Sequence, residues 1–226
     1  MDNSIFNYKN NEHFSLLNWQ YHHSNNNHLD TMAQAYNKTV EVSMNYLIKN
    51  INSNIIRDQM IFPVIFNFNH YIELKLKSCL IYISLICDKN DNDINKIIKN
   101  VMNKKIKKTD KYPNTHDISK ILTILLHSIK KTNVFEDKYS SDNKLKHTKE
   151  YIDDLYSQEF IKGSSQLDLF RFPLNIDQEN YKYVEKFSDI KNQENIGVSI
   201  VKLRQKIIDV SNELEALSNF LDSKND

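Results

Sequence analysis

The chain has 226 residues and a formal net charge of +1, with 40% hydrophobic and 26% charged residues. This length and composition suit one globular domain with an ordinary core, and the near-neutral charge excludes a protein that its overall field draws onto nucleic acid. With only two glycines and three prolines, and without the short strand–turn spacing of sandwiches and barrels, the sequence predicts long helices.

The N-terminal region is rich in asparagine and ends in HHSNNNH. We interpret residues 1–28 as an N-terminal arm and residues 29–226 as a single helical domain. The opening residues are polar and do not resemble a secretory signal. The longest apolar run, CLIYISLIC, is too short to cross a membrane, which takes roughly 20 residues. We therefore expect a cytoplasmic protein without membrane contact.

The first two helices are predicted from apolar spacing. Apolar residues three and four apart predict a helix over residues 30–50, which Asp30 or Thr31 can cap. The next helix is apolar on nearly every face, which is typical of the central helix of a bundle. We expect it to begin near Pro63, because proline is favoured in a first turn, and to end at Cys87.

Shorter elements follow the central helix. Helices are predicted over residues 93–102, from residues 114–117 onward, and over residues 143–160. SQLDLFRFPLN, residues 165–175, alternates in polarity and meets a proline, so we expect an extended strap. The last helix repeats apolar residues with a strict period of seven from Ile196 onward. We favour an antiparallel bundle helix over a coiled-coil dimer seam for this pattern.

The two cysteines lie within the apolar run of the central helix. Cys79 and Cys87 are eight positions apart, so a helix would separate them by ~12 Å. That distance is too long for a disulfide. We expect both to be buried thiols in a reducing compartment.

Ionisable side chains interrupt the apolar central helix. At about 100° per residue, His70, Glu73 and Lys77 fall on one side. Glu73 and Lys77 have the spacing and orientation of a stabilising ion pair. Because a lone buried charge is costly, we expect these groups to be paired or to line a cleft. Three interpretations stay open: a polar cluster that fixes helix register, a binding cleft, or a catalytic cleft.

Four segments resemble, in order, a group of bacterial HEPN-like helical proteins: FNFNHYIELKLK, THDISKIL, LFRFPLN and SNELEALSNFLD. In that group a central helix reads F-x-F/Y-R-H-x-x-E-L-x-L-K, His-Asp-Leu opens a later helix, and Phe-Arg-Tyr-Pro precedes a long last helix. The match covers residues 60–222. The resemblance implies an all-α up-and-down bundle of about five to six helices, which is often dimeric and linked to anti-phage defence or toxin–antitoxin systems.

The polar stripe and the resemblance together define a candidate site for RNA or a nucleotide. A histidine can move protons near neutral pH, and an arginine can bind phosphate through two hydrogen bonds. The catalytic candidates are His70, Glu73, His116 and Arg171. The candidates for binding phosphate are Lys77, Arg171 and Asn69. No cofactor and no metal are expected. For the His-Asp pair, a structural alternative is that Asp117 only caps a helix.

Two departures from the group leave catalysis open. Asn69 stands where the group usually has arginine before the histidine, and none of Arg57, Arg171 and Arg204 is followed by histidine at the R-x4-6-H spacing of HEPN ribonucleases. If the chain is an enzyme, we expect a metal-independent ribonuclease. The alternative is a non-catalytic interaction or dimerisation subunit of a defence complex. We expect a homodimer and a protein partner such as a cognate antitoxin or effector.

Overall fold

The computed structural model describes residues 28–87, 96, 116–132, 145–157 and 197–224. Within those ranges the regular structure is helical and contains no strand. The helices with described bounds are α1 His28–Lys49, α2 Asn54–Ile86, α3 Ile118–Thr132, α4 Lys146–Ser157 and α5 Ile200–Asp222. The predicted all-α class is therefore confirmed for this part of the chain.

α2 is the central element, and it contacts α1, α3 and α5. It forms because its apolar side chains surround the helix instead of forming one stripe, so each neighbour covers part of it. Phe68, Tyr71, Leu76 and Leu80 are among its fully buried side chains. Burial of each such side chain stabilises the fold by roughly 1.5–3 kcal/mol. The central helix predicted from the apolar run is thus confirmed.

The predicted start of α2 near Pro63 is wrong. α2 begins at Asn54, and Pro63 lies inside the helix. The Ser53 hydroxyl caps the helix by accepting a hydrogen bond from the backbone N–H of Ile56 at 3.4 Å. An internal proline removes one backbone hydrogen bond and costs about 3 kcal/mol. Here the burial of α2 on all sides offsets that cost, so the proline preference for a first turn does not decide the boundary.

The heptad stripe of α5 faces the interior of the bundle. Its buried side chains are Leu203, Ile207, Val210, Leu214, Leu217 and Leu221. The Tyr71 hydroxyl donates to the backbone oxygen of Ser211, and the Lys75 ammonium donates to the Glu215 carboxylate. Because the later residue of α2 contacts the later residue of α5, α5 runs parallel to α2. Ser211 contacts Asn37 and Ser218 contacts Asp30, so α5 runs antiparallel to α1. The stripe is therefore used within the chain, as the bundle interpretation predicted, but the predicted antiparallel arrangement holds toward α1 and not toward α2.

The cysteine prediction is confirmed in part. Neither Cys79 nor Cys87 is in a disulfide; Cys79 is fully buried, and Cys87 is half-buried. Burial raises the pKa of the Cys79 thiol to about 12, so Cys79 stays protonated at neutral pH and is a poor nucleophile.

Several predicted elements lie outside the described residues. They are residues 1–27 of the arm, the helix over 93–102 apart from the helical Lys96, and the strap over 165–175 with Arg171. His28, which we assigned to the arm, is the first residue of α1. In the described ranges, no helix has the length and apolar character that crossing a membrane would require.

Candidate functional site

Glu73 lies at the middle of α2, and its side chain is only 2% exposed. Its Oε1 atom accepts a hydrogen bond from the Lys77 ammonium at 2.7 Å and a second from Nδ1 of His116 at 2.8 Å. Lys77 reaches Glu73 because helical spacing places them on adjacent turns. His116 arrives from a different element, just before α3, because α3 packs against α2. One carboxylate oxygen thus joins two parts of the bundle.

The other carboxylate oxygen, Oε2, faces His70. Nδ1 of His70 lies 3.6 Å from it, which is within ion-pair distance for a protonated ring but too long for a hydrogen bond. Both atoms are buried, and neither has a hydrogen-bond partner among the residues that the structure describes. The His70 ring packs edge-on against Tyr36 of α1, with 4.4 Å between ring centroids. His70, Glu73, Lys77 and His116 are called the Glu73 cluster below.

Glu73 is ionised at neutral pH despite its burial. Burial alone raises the pKa of this carboxyl, but the neighbouring His70, Lys77 and His116 outweigh it and lower the pKa below its ordinary value of 4.5. The charged carboxylate neutralises the buried Lys77 ammonium, so the pair avoids the cost of a lone buried charge. Lys77 is therefore held as the counterion of Glu73.

His116 is the exposed member of the Glu73 cluster. Its side chain is 62% exposed although Nδ1 is bound to a carboxylate that is almost fully buried. A carboxylate can only accept hydrogen bonds, so this contact places a proton on Nδ1 and directs Nε2 away from Glu73. A carboxylate–imidazole pair of this kind orients the ring and supports proton transfer at Nε2.

Asp117 fixes the start of α3 and with it the position of His116. Its Oδ1 atom accepts hydrogen bonds from the backbone N–H groups of Ser119 at 3.1 Å and Lys120 at 3.2 Å. The Tyr156 hydroxyl of α4 donates to the same oxygen. Asp117 is thus a helix cap, as the structural alternative for the His-Asp pair proposed. His116, by contrast, contacts Glu73.

Asn69 lies one helical turn before Glu73 on α2, but its side chain contacts α4. Its Oδ1 atom accepts a hydrogen bond from the Tyr151 hydroxyl of α4 at 2.7 Å. Its Nδ2 atom is buried and has no hydrogen-bond partner in the described part of the chain. The structure therefore brings His70, Glu73, Lys77 and His116 together and places Asn69 beside them, against α4. Arg171 lies outside the described residues, and its predicted role stays a prediction.

Sequence reasoning missed a second charged group, on the opposite side of α2. Lys75 is 1% exposed, and its ammonium binds Asp30 of α1 at 2.5 Å and Glu215 of α5 at 2.8 Å. We call Lys75, Asp30 and Glu215 the Lys75 cluster. A lysine two positions after Glu73 in an apolar run falls on the other helix face. That spacing in the sequence indicates a second buried charge.

Neither a group of metal-binding side chains in the described ranges nor a match to a known protein identifies this site. Across the described ranges, no three His, Cys, Asp or Glu side chains are grouped as ligands of one metal ion would be. No family model, no curated protein and no solved structure matches this chain.

Proposed function

We propose that this chain is a HEPN-like component of a bacterial anti-phage defence or toxin–antitoxin system that binds RNA or nucleotide at the Glu73 cluster. The four motifs in their shared order support the family. One observation supports the site: a buried, charged Glu73 holds the exposed ring of His116 at 2.8 Å. A structural ion pair between Glu73 and Lys77 would be complete without that ring.

The unused hydrogen-bonding capacity beside Glu73 also supports binding. Within the described ranges, Oε2 of Glu73 and Nδ1 of His70 are buried without hydrogen bonds. A buried polar group left unpaired costs about 1–3 kcal/mol, and proteins tend to keep such costs at functional sites. In this proposal Arg171 attracts phosphate, Lys77 stays the counterion of Glu73, and His116 contacts a polar group of the ligand.

The test compares two histidine variants of the full chain. We expect His116→Ala to weaken binding of AMP and of a single-stranded RNA oligomer by about tenfold or more, which corresponds to about 1.4 kcal/mol. His127→Ala is the matched control, because His127 is exposed on the same helix, α3, and should bind as the original chain does. Calorimetry measures AMP binding, and fluorescence anisotropy measures RNA binding.

The outcomes separate binding from cleavage. Intact RNA after incubation, with normal growth of expressing cells, assigns the site to binding. RNA fragments that disappear with His70→Ala or His116→Ala assign it to metal-independent cleavage. If the chain binds neither ligand, or if His116→Ala binds as tightly as the original chain, the proposed function is wrong.

The alternative of a helical interaction subunit is supported by a different observation. Val201 and Ile208 are exposed apolar residues one heptad apart on α5, outside its buried stripe. A second copy or a defence partner could cover them. Light scattering on the same protein preparations distinguishes the two proposals: a dimer that dissociates with Val201→Asp favours the interaction subunit, and a monomer counts against it.

A further inference from the structure

The solvent-facing side of α3 differs in charge from those of the other described helices. Three of its exposed side chains are lysines, and none is an aspartate or a glutamate. The whole chain has a net charge of only +1, so α3 concentrates positive charge locally. Each of the other four described helices exposes at least one acidic residue: Glu41 in α1, Asp58 in α2, Glu150 in α4 and Asp222 in α5.

The three lysines lie along one side of α3. At about 100° per residue, Lys120, Lys130 and Lys131 fall within an arc of about 100°, and they spread over about 16 Å of the helix axis. The helix dipole attracts cations to the last turn, where two of them lie, but it disfavours a cation in the first turn, where Lys120 lies. Lys120 is 3.2 Å from the Asp117 carboxylate, yet its side chain is 71% exposed, so a second anion can approach it. These three residues are called the α3 lysine row below.

We infer that the α3 lysine row binds the phosphate backbone of a nucleic-acid strand and selects neither base nor sugar. The inference rests on the proposed function, which supplies the class of ligand, and it adds a contact surface outside the Glu73 cluster. Lysine ammonium groups neutralise phosphates as point charges, and the hydroxyl of Thr123, exposed between them, is a common phosphate donor. α3 exposes none of the arginine, asparagine and glutamine side chains that form paired hydrogen bonds with base edges.

The composition of this face argues against a protein or a membrane as its partner. The centre of a protein interface is rich in aromatic residues and poor in lysine, and a helix that lies on a membrane buries an apolar face. The exposed side of α3 contains no apolar side chain, whereas a polyanion needs none. Its exposed residues are Lys120, Thr123, His127, Lys130 and Lys131.

Salt titrations on the full chain test the inference. For single strands, the logarithm of affinity falls with the logarithm of salt concentration by about 0.7 for each phosphate that the protein neutralises. The double variant Lys130→Gln/Lys131→Gln should therefore reduce this slope by about 1.4 for an RNA oligomer, and by the same amount for a DNA oligomer of the same sequence. Affinity for AMP should not change, because AMP bound beside His116 at the start of α3 cannot reach the last turn, about 18 Å along the helix.

The matched control is Lys146→Gln/Lys149→Gln. It removes the same charge from exposed positions of α4, a helix that also exposes acidic residues, and the slope should stay that of the original chain. The titrations run at mildly alkaline pH, where an imidazole is neutral, so His127→Ala should also keep the slope. Circular dichroism checks that every variant keeps its helical content.

The outcomes separate this inference from the proposed function. A slope that the α3 double variant leaves unchanged, or that the α4 double variant lowers equally, overturns the inference alone, and so does a change seen with RNA but not with DNA. If polyglutamate binds through Lys130 and Lys131 and the oligomers do not, the row binds an acidic protein segment and the inference is wrong. If His116→Ala binds AMP and RNA as the original chain does while the α3 double variant lowers the slope, binding at the Glu73 cluster is refuted and the α3 lysine row is supported. Binding of neither AMP nor the oligomers refutes both.

Discussion

α2 carries two charged clusters on opposite faces, and they differ in how completely their hydrogen bonds are satisfied. In the Lys75 cluster, Asp30 accepts hydrogen bonds from Lys75, Gln34 and Ser218. In the Glu73 cluster, one carboxylate oxygen and one ring nitrogen are buried without a hydrogen bond to any described residue. A fully bonded buried network holds helices in one arrangement. Both clusters bury charge, so charge burial alone does not separate them; incomplete hydrogen bonding beside an exposed imidazole distinguishes the Glu73 cluster from the Lys75 cluster.

The two clusters also join different parts of the bundle. The Lys75 cluster ties α1, α2 and α5 together, the three helices that enclose its ammonium. The Glu73 cluster ties α2 to the residue before α3, at the edge of the fold. We therefore expect changes in the Lys75 cluster to affect folding most, and changes in the Glu73 cluster to affect ligand binding most.

The largest expected effect is loss of stability on removing the Lys75 charge. Lys75→Met leaves Asp30 and Glu215 close together without their cation. Breaking a buried ion pair costs about 3–5 kcal/mol, and we expect the lower end, about 3 kcal/mol, because Glu215 is 34% exposed and partly screened by solvent. Urea unfolding measures the change.

Lys38→Met is the matched control, because Lys38 pairs with Glu41 on the exposed side of α1. Its unfolding midpoint should stay close to that of the original chain. If Lys75→Met also left the unfolding midpoint unchanged, the Lys75 cluster would not be the group that holds the helices together.

Glu73→Gln should have an intermediate effect that depends on pH. At neutral pH it leaves the buried Lys77 ammonium without its counterion, and a hydrogen bond to a charged group contributes about 2 kcal/mol. Because the pKa of Glu73 is lowered in the folded chain, its stabilisation is present above its ordinary value of 4.5 and is lost as the pH falls through the lower folded value. The difference in unfolding free energy between Glu73→Gln and the original chain should therefore shrink on acidification.

The Lys75 cluster should show the opposite dependence. Burial lowers the pKa of Lys75, but Asp30 and Glu215 outweigh it and raise the pKa above its ordinary value of 10.5. Its stabilisation is present below 10.5 and is lost as the pH rises through the higher folded value.

For Glu73→Gln, a loss of unfolding free energy that stays constant from neutral to acid pH would contradict an ionised Glu73.

The sequence could predict the helices and one of these clusters because both follow from local spacing. The heptad stripe of α5 and the Glu73–Lys77 pair are visible as intervals of three, four and seven residues. The Lys75 cluster was missed because its partners are 45 and 140 positions away in the chain, and no local pattern links them. The start of α2 was misplaced for a similar reason, since burial by distant helices offset the cost of Pro63.

The smallest expected effect on stability is that of His70→Phe, and it distinguishes the two clusters most sharply. Phenylalanine keeps an aromatic ring against Tyr36 and removes a buried nitrogen that has no hydrogen bond to the residues that the structure describes. The change also removes the imidazole that helps to keep Glu73 ionised. Because His70 is partly exposed and such an ion pair contributes about 0–1 kcal/mol, the free energy of unfolding, measured with urea, should fall by no more than about 1 kcal/mol. Affinity for AMP should fall all the same, because the ring no longer offers a polar atom to the ligand site. A variant that gains or keeps stability while it loses binding marks a site retained for function. A loss of stability comparable to that of Lys75→Met would instead place His70 among the groups that hold the helices together, and the contrast between the two faces of α2 would disappear.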